Sequence, residues 1–192
     1  MRNQLAALAG VGMGLGLLFA AGSALASTTV IGNGFAADCS QSAKAVSSNR
    51  PPNAEALHEC NLAIETEVLT THDLAATYVN RGVLYLSSGD YTNAKRDFDK
   101  AVSTESSLGE AYVNRGAALI GMGREREGIV EINKGIELGA GELEKAYFNR
   151  ALAEERLDDL KSAYADYQKA LQLKPDWAMA KAELSRFRVV ER

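Results

Sequence analysis

Few side chains in this sequence are equipped for chemistry. Cys39 and Cys60 are its two cysteines, and His58 and His72 its two histidines. Neither histidine stands in a His-Glu-x-x-His run or in any other metal-ligand spacing. No Gly-x-Ser-x-Gly elbow occurs, and no glycine-rich loop leads into Lys-Ser or Lys-Thr. The acid pairs Asp97 with Asp99 and Asp158 with Asp159 are of the kind that decorates solvated helix faces and turns. No catalytic constellation results, so the expectation is a protein that is not an enzyme and uses no cofactor and no metal. What does recur is an amide. Asn80, Asn114 and Asn149 sit in Tyr78-Val79-Asn80-Arg81-Gly82, Tyr112-Val113-Asn114-Arg115-Gly116 and Tyr147-Phe148-Asn149-Arg150-Ala151, at steps of 34 and 35 residues. An asparagine side chain both donates and accepts, which suits it to a peptide main chain of either polarity.

Helices must position these residues. Tyr78, Gly82 and Tyr85 fall at i, i+4 and i+7, the spacing of a buried helical stripe. Downstream, Gly89-Asp90-Tyr91 signals a turn, and Ala94, Phe98 and Ala101 carry the stripe of a second helix. The second unit places Gly116, Leu119, Gly123, Gly128, Ile132 and Gly135 at the matching offsets. The third places Ala151, Glu154, Asp158, Leu160, Ala163, Tyr167 and Ala170 there, closing at Pro175. Small residues such as Gly82 with Ala94, or Gly116 with Gly128, let two helices approach, and Phe98, Ile132 and Tyr167 fill the next turn. One helix pair cannot cover its own stripe, so units must stack. Gly128 and Gly135 each cost about 1 kcal/mol in a helix interior; they either permit tight packing or mark a weak point.

These motifs resemble the tetratricopeptide repeat family over residues 75–177. The resemblance implies an all-α fold, a right-handed α-solenoid of stacked antiparallel helix pairs. The units read as 75–108, 109–142 and 144–177, with Leu143 inserted. A degenerate first repeat precedes them over 36–74, and a capping helix follows over 178–190. In the family the first helices line a concave face used to hold a peptide. Carried over by unit position, the groove is Val79, Asn80 and Val83, then Val113, Asn114 and Ala117, then Lys145, Phe148, Asn149, Leu152 and Arg156. The competing structural role for the three asparagines is to pin neighbouring helices to one another. Arg81, Arg115 and Arg150 are expected to lie over the adjacent helix and pair with local acids such as Asp97, rather than to form an anion ladder. Lys145 and Arg156, opposed by Glu110 and Glu155, give weak support to a carboxylate clamp.

The ends complete the reading. A basic start, an apolar run from Leu5 to Ala21 and Ala24-Leu25-Ala26 match a cleavable signal peptide over 1–26; an uncleaved anchor is the alternative. Residues 27–35 form a mature amino-terminal tail. Export would put Cys39 and Cys60 where a disulfide persists. They lie equidistant from the Ser47-Ser48-Asn49-Arg50-Pro51-Pro52 turn, which predicts a structural disulfide, the alternative being two reduced, buried thiols. The Thr70-Thr71-His72-Asp73 stretch reads as a linker with Asp73 as N-cap. A net charge of −4 without a basic run argues against nucleic acid. The function expected is a non-catalytic scaffold or adaptor of the cell envelope, periplasmic or secreted, with another protein or peptide as partner and no stable membrane insertion after cleavage. The alternative is a dedicated chaperone or accessory subunit of one envelope enzyme or secretion component.

Overall fold

The computed structural model describes residues 4–7, 34–47 and 55–190. Among these are nine helices: α1 (Phe35–Ser47), α2 (Ala56–Thr66), α3 (Thr71–Ser87), α4 (Tyr91–Thr104), α5 (Gly109–Gly121), α6 (Glu125–Glu137), α7 (Leu143–Arg156), α8 (Leu160–Leu173) and α9 (Ala178–Ser185). They pack as consecutive pairs, α1 with α2, α3 with α4, α5 with α6 and α7 with α8, and each pair rests on the next. A two-stranded antiparallel ribbon joins Gln4–Ala7 (β1) to Phe187–Val190 (β2), with Gln4 opposite Val190. Apart from β1, the expected signal peptide over 1–26 lies outside the described residues, as do residues 27–33 of the tail and 48–54 of the cysteine hairpin's turn.

Two expectations about boundaries need correction. The capping helix expected to reach residue 190 ends at Ser185; the β-branched Val189 and Val190 favour extended backbone, and β1 pairs with it. The supposed linker before the first full unit is helical from Thr71. Its N-cap is Thr70, not Asp73: the Asp73 N–H donates to Thr70 Oγ1 and the Thr70 hydroxyl donates to the Asp73 carboxylate. Thr70 thus satisfies one backbone donor of the first turn, and the Asp73 carboxylate holds the Thr70 hydroxyl in place.

The turns between paired helices share a left-handed residue. Gly89 (φ 79°) and Gly123 (φ 76°) occupy it in the first two units, and Asp158 (φ 62°) in the third. Aspartate is one of the few side chains that enters this region without a helix-sized penalty. Asp90 and Asp159 then cap the second helices by accepting from the Asn93 and Ser162 N–H groups.

In the second unit the two helices meet backbone to backbone. A Cβ on Gly116 would stand 2.7 Å from the Gly128 carbonyl oxygen, and one on Gly128 would stand 2.8 Å from that of Gly116. Backbone faces backbone there, so both glycines serve tight packing rather than a weak point. In the first unit the Phe98 ring fills the same space over Gly82. Each full unit contributes its own buried cluster, with Phe98, Ile132 and Tyr167 each wholly buried.

The first hairpin is fastened twice. Cys39 and Cys60 are joined with their Cα atoms 4.8 Å apart. The Glu67 carboxylate, 32 residues downstream, accepts from the Phe35 N–H at 2.6 Å and the Ala36 N–H at 3.2 Å, capping the start of α1.

Two outcomes test this packing. Gly128→Ala should lower stability by roughly 1–3 kcal/mol in chemical denaturation, although alanine is favoured over glycine in helices by about 1 kcal/mol; a stabilised variant would refute the close approach. Reduction of the Cys39–Cys60 bridge should cost on the order of 3 kcal/mol, as expected for closure of a loop of about 20 residues, and both cysteines should resist alkylation until reductant is added.

Candidate functional site

The three repeated arginines build the frame around the asparagines. Arg81 Nε and Nη2 donate to both oxygens of Asp97 at 2.7 Å, while Nη1 donates to Asn61 Oδ1 at 2.7 Å. Arg115 donates to Glu131 and to Asp99 Oδ1. Arg150 donates to both oxygens of Asp166 and to Asn133 Oδ1 at 2.5 Å. Each guanidinium therefore bonds the second helix of its own pair and the second helix of the pair before. Tyr78, Tyr112 and Tyr147 present their rings to these groups at 5.7, 5.1 and 5.2 Å. Arg81 pairs with Asp97, the local acid expected for it on the adjacent helix, and the arginines do not form an anion ladder.

One residue behind each arginine stands the repeated asparagine. Asn80, Asn114 and Asn149 are 0, 0 and 2 % exposed. Both amide atoms of Asn80 and of Asn149 are buried without a hydrogen-bond partner among the described residues. These two side chains therefore do not pin neighbouring helices through hydrogen bonds, the structural role weighed against ligand binding. A buried, unengaged amide costs roughly 1–3 kcal/mol, so the fold carries a standing demand for a donor and an acceptor at each position.

The other residues assigned to the groove divide into apolar and charged. Val79, Val83 and Ala117 belong to one buried cluster that includes Ala43 of α1, Leu86 and Phe98. Val113 packs against Gly135 of α6. Phe148 sits edge-on to Tyr167 at 5.4 Å and tilted on Trp177 at 4.7 Å. These five are buried, Leu152 is half-buried and Arg156 is exposed. Lys145 is buried and ion-pairs with Glu142 at 2.8 Å. Arg156 Nη1 donates to the Ile120 carbonyl at 2.9 Å and lies 3.5 Å from Glu125. Glu110 accepts from the Gly141 N–H at 2.7 Å.

The repeat pattern places Glu154 in the third unit but assigns it no role. Burial, and then repulsion from Asp166, push its carboxyl up to about 7 from an ordinary 4.5, against the opposing pull of Arg150. One of its oxygens is buried and unengaged. Among the described residues no three His, Cys, Asp or Glu side chains gather to hold a metal, and no helix is long and apolar enough to cross a membrane.

Comparison with known proteins agrees with this geometry. Residues 75–107 and 144–177 match tetratricopeptide repeat family profiles. Those two segments are similar to tetratricopeptide repeats. The bovine (Bos taurus) peptidyl-prolyl cis-trans isomerase FKBP4 is 30% identical over 157 residues, covering 70% of this chain and 34% of that protein. Mouse (Mus musculus) sperm-associated antigen 1 is 32% identical over 136 residues, covering 69% of this chain and 15% of that protein. The chain thus spans about a third of the first relative and less of the second, and the isomerase activity in the first name is that protein's own. Among solved structures, the second tetratricopeptide domain of human RPAP3, in complex with the HSP70 peptide SGPTIEEVD, superposes with a TM-score of 0.55 at 25% identity, covering 61% of this chain and 97% of that one.

The raised Glu154 carboxyl makes a pH prediction. A group whose folded pKa lies above its unfolded value stabilises fully below about 4.5 and loses that contribution as pH rises through about 7. Glu154→Gln should therefore raise the Tm at pH 8, by an amount equivalent to roughly 1–3 kcal/mol, with the gain shrinking as pH falls from 7 to 4.5. A gain that is the same at every pH would show that Glu154 is not the group responsible.

Proposed function

We propose that this tetratricopeptide chain is a non-catalytic scaffold or adaptor that holds an extended segment of another protein against the line of Asn80, Asn114 and Asn149. The observation that carries the reading is the pair of buried, unengaged amides at Asn80 and Asn149. Each offers the donor and acceptor that one peptide unit of a ligand would satisfy. The complex of RPAP3 with an HSP70 peptide supports peptide holding as a use of this architecture. The signal pattern at the start of the sequence supports placing that role in the cell envelope, periplasmic or secreted, and the two cysteines suit an oxidising compartment.

The test exploits a conflict between stability and binding. Replacing Asn80 and Asn149 together by leucine, of similar size, removes two unsatisfied amides and should leave the Tm unchanged or raised. The same variant, immobilised beside the wild type and exposed to envelope extract of the source organism, should lose the captured partner. Retained capture with an intact fold would move the site to another face.

A further inference from the structure

The strand β2 is fixed to the body of the array at its base. Phe187 is 8 % exposed and lies edge-on to Tyr167 at 5.8 Å and tilted on Tyr164 at 5.7 Å. Its neighbour Arg186 ion-pairs with Glu155 of α7 at 2.5 Å. Among the described residues β2 pairs with β1 alone, antiparallel, with Ala7 opposite Phe187. β1 belongs to the stretch that carries the cleavable signal pattern. Cleavage after Ala26 therefore removes the partner strand and leaves an anchored strand with open backbone donors and acceptors. Such an edge is a template for another extended segment.

The same cleavage frees a matching strand. The new amino terminus reads Ser27-Thr28-Thr29-Val30-Ile31-Gly32-Asn33. Thr28, Thr29, Val30 and Ile31 are β-branched side chains that favour extended backbone, whereas β1 spends two of its places, Ala6 and Ala7, on a residue depleted in strands. Neither stretch carries a charge or a proline, so the new tail offers β2 the same kind of uncharged strand in a better strand-forming sequence.

The tail cannot reach β2 of its own chain. The Phe35 N–H is held by Glu67 at the first hairpin, and β2 is held on the third full unit. Three steps between neighbouring helix pairs lie between those places, which at about 8–10 Å a step is about 24–30 Å. Ile31 comes three residues before Gly34, so an extended chain carries it at most about 11 Å away. The β2 edge of a second copy imposes no such limit.

We propose that the processed chain assembles head to tail, with Thr28, Thr29, Val30 and Ile31 of one copy pairing antiparallel with Phe187–Val190 of the next, in the place that β1 holds before cleavage. Donor and acceptor sit at opposite ends of the array, so the contact is heterologous and repeats along a row of copies. Until cleavage, β1 covers the acceptor and keeps the unprocessed chain out of the row. This rests on the reading of residues 1–26 as a cleaved signal.

The full chain is treated with signal peptidase, and the product is followed by sedimentation velocity from about 1 to 100 µM, with circular dichroism as the check on its helices. The weight-average mass should at least double across that range. Two double variants, Thr29→Pro with Val30→Pro and Arg188→Pro with Val189→Pro, should each abolish the rise, because consecutive prolines withdraw a ladder donor in either register. Mixed in equal amounts, the two processed variants should form a dimer that grows no further, since one keeps only its acceptor and the other only its donor. A processed wild type that stays monomeric overturns the inference, and so does association that survives both double substitutions. If signal peptidase leaves the chain intact, the cleavage reading fails and the inference fails with it.

Discussion

The array depends on one repeated interaction, an arginine that bonds two second helices at once. Helix pairs of this kind have no internal core large enough to stand alone, so what matters is how a pair is tied to the one before it. Arg81, Arg115 and Arg150 each use Nε and Nη2 inside their own unit and Nη1 on the preceding one. A guanidinium is suited to this because its donors are fixed in a plane and its charge is permanent. A lysine at the same place could not span both helices. The tyrosines three residues earlier present their rings to the arginines. Once these clamps are set, the asparagine beside each arginine has its depth determined for it.

Much of the fold was legible because the repeat writes the same physics three times. Two glycines facing each other in the second unit mean close backbones, and a single glycine facing phenylalanine means a ring over a gap; the structure has Gly116 against Gly128 and Phe98 over Gly82. The Arg81–Asp97 pair was readable because a long arginine side chain lying over the adjacent helix meets a local acid there. What escaped were features made by distance in sequence. The Glu67 cap on α1 joins residues 32 apart in the chain, and no local pattern marks a carboxylate for that use. The start of α3 was misplaced because Thr70-Thr71-His72-Asp73 has linker composition yet caps a helix. The end of α9 was overextended because an amphipathic pattern persists past Ser185, while pairing with β1 takes the backbone away.

The site was legible in residue type but less so in environment. Repetition alone pointed to Asn80, Asn114 and Asn149, yet only the packed fold shows that Asn80 and Asn149 leave both amide atoms unengaged. Several apolar residues assigned to the groove also belong to the core: Val113 lies against α6, and Phe148 packs between Tyr167 and Trp177. Unit position predicts the direction of a side chain along a helix, but it cannot say how far a neighbouring helix leans over it. The character of Glu154 had no sequence signal, since it comes from Asp166 on the facing helix and from burial.

The clamps also give the array a direction. Each arginine reaches towards the amino terminus, and α9 carries no counterpart reaching back onto α8, where Gln168 bonds Tyr164 instead. Loss of the last unit would strip Asn133 of Arg150, and loss of the first hairpin would strip Arg81 of Asn61, so in clamp bonds the two truncations are equal. In a nearest-neighbour description of such arrays, each arginine is one coupling shared by two adjacent units. What distinguishes the ends is the covalent tie within the first hairpin, so fraying should begin at the carboxyl-terminal pair and advance towards the disulfide-bearing hairpin.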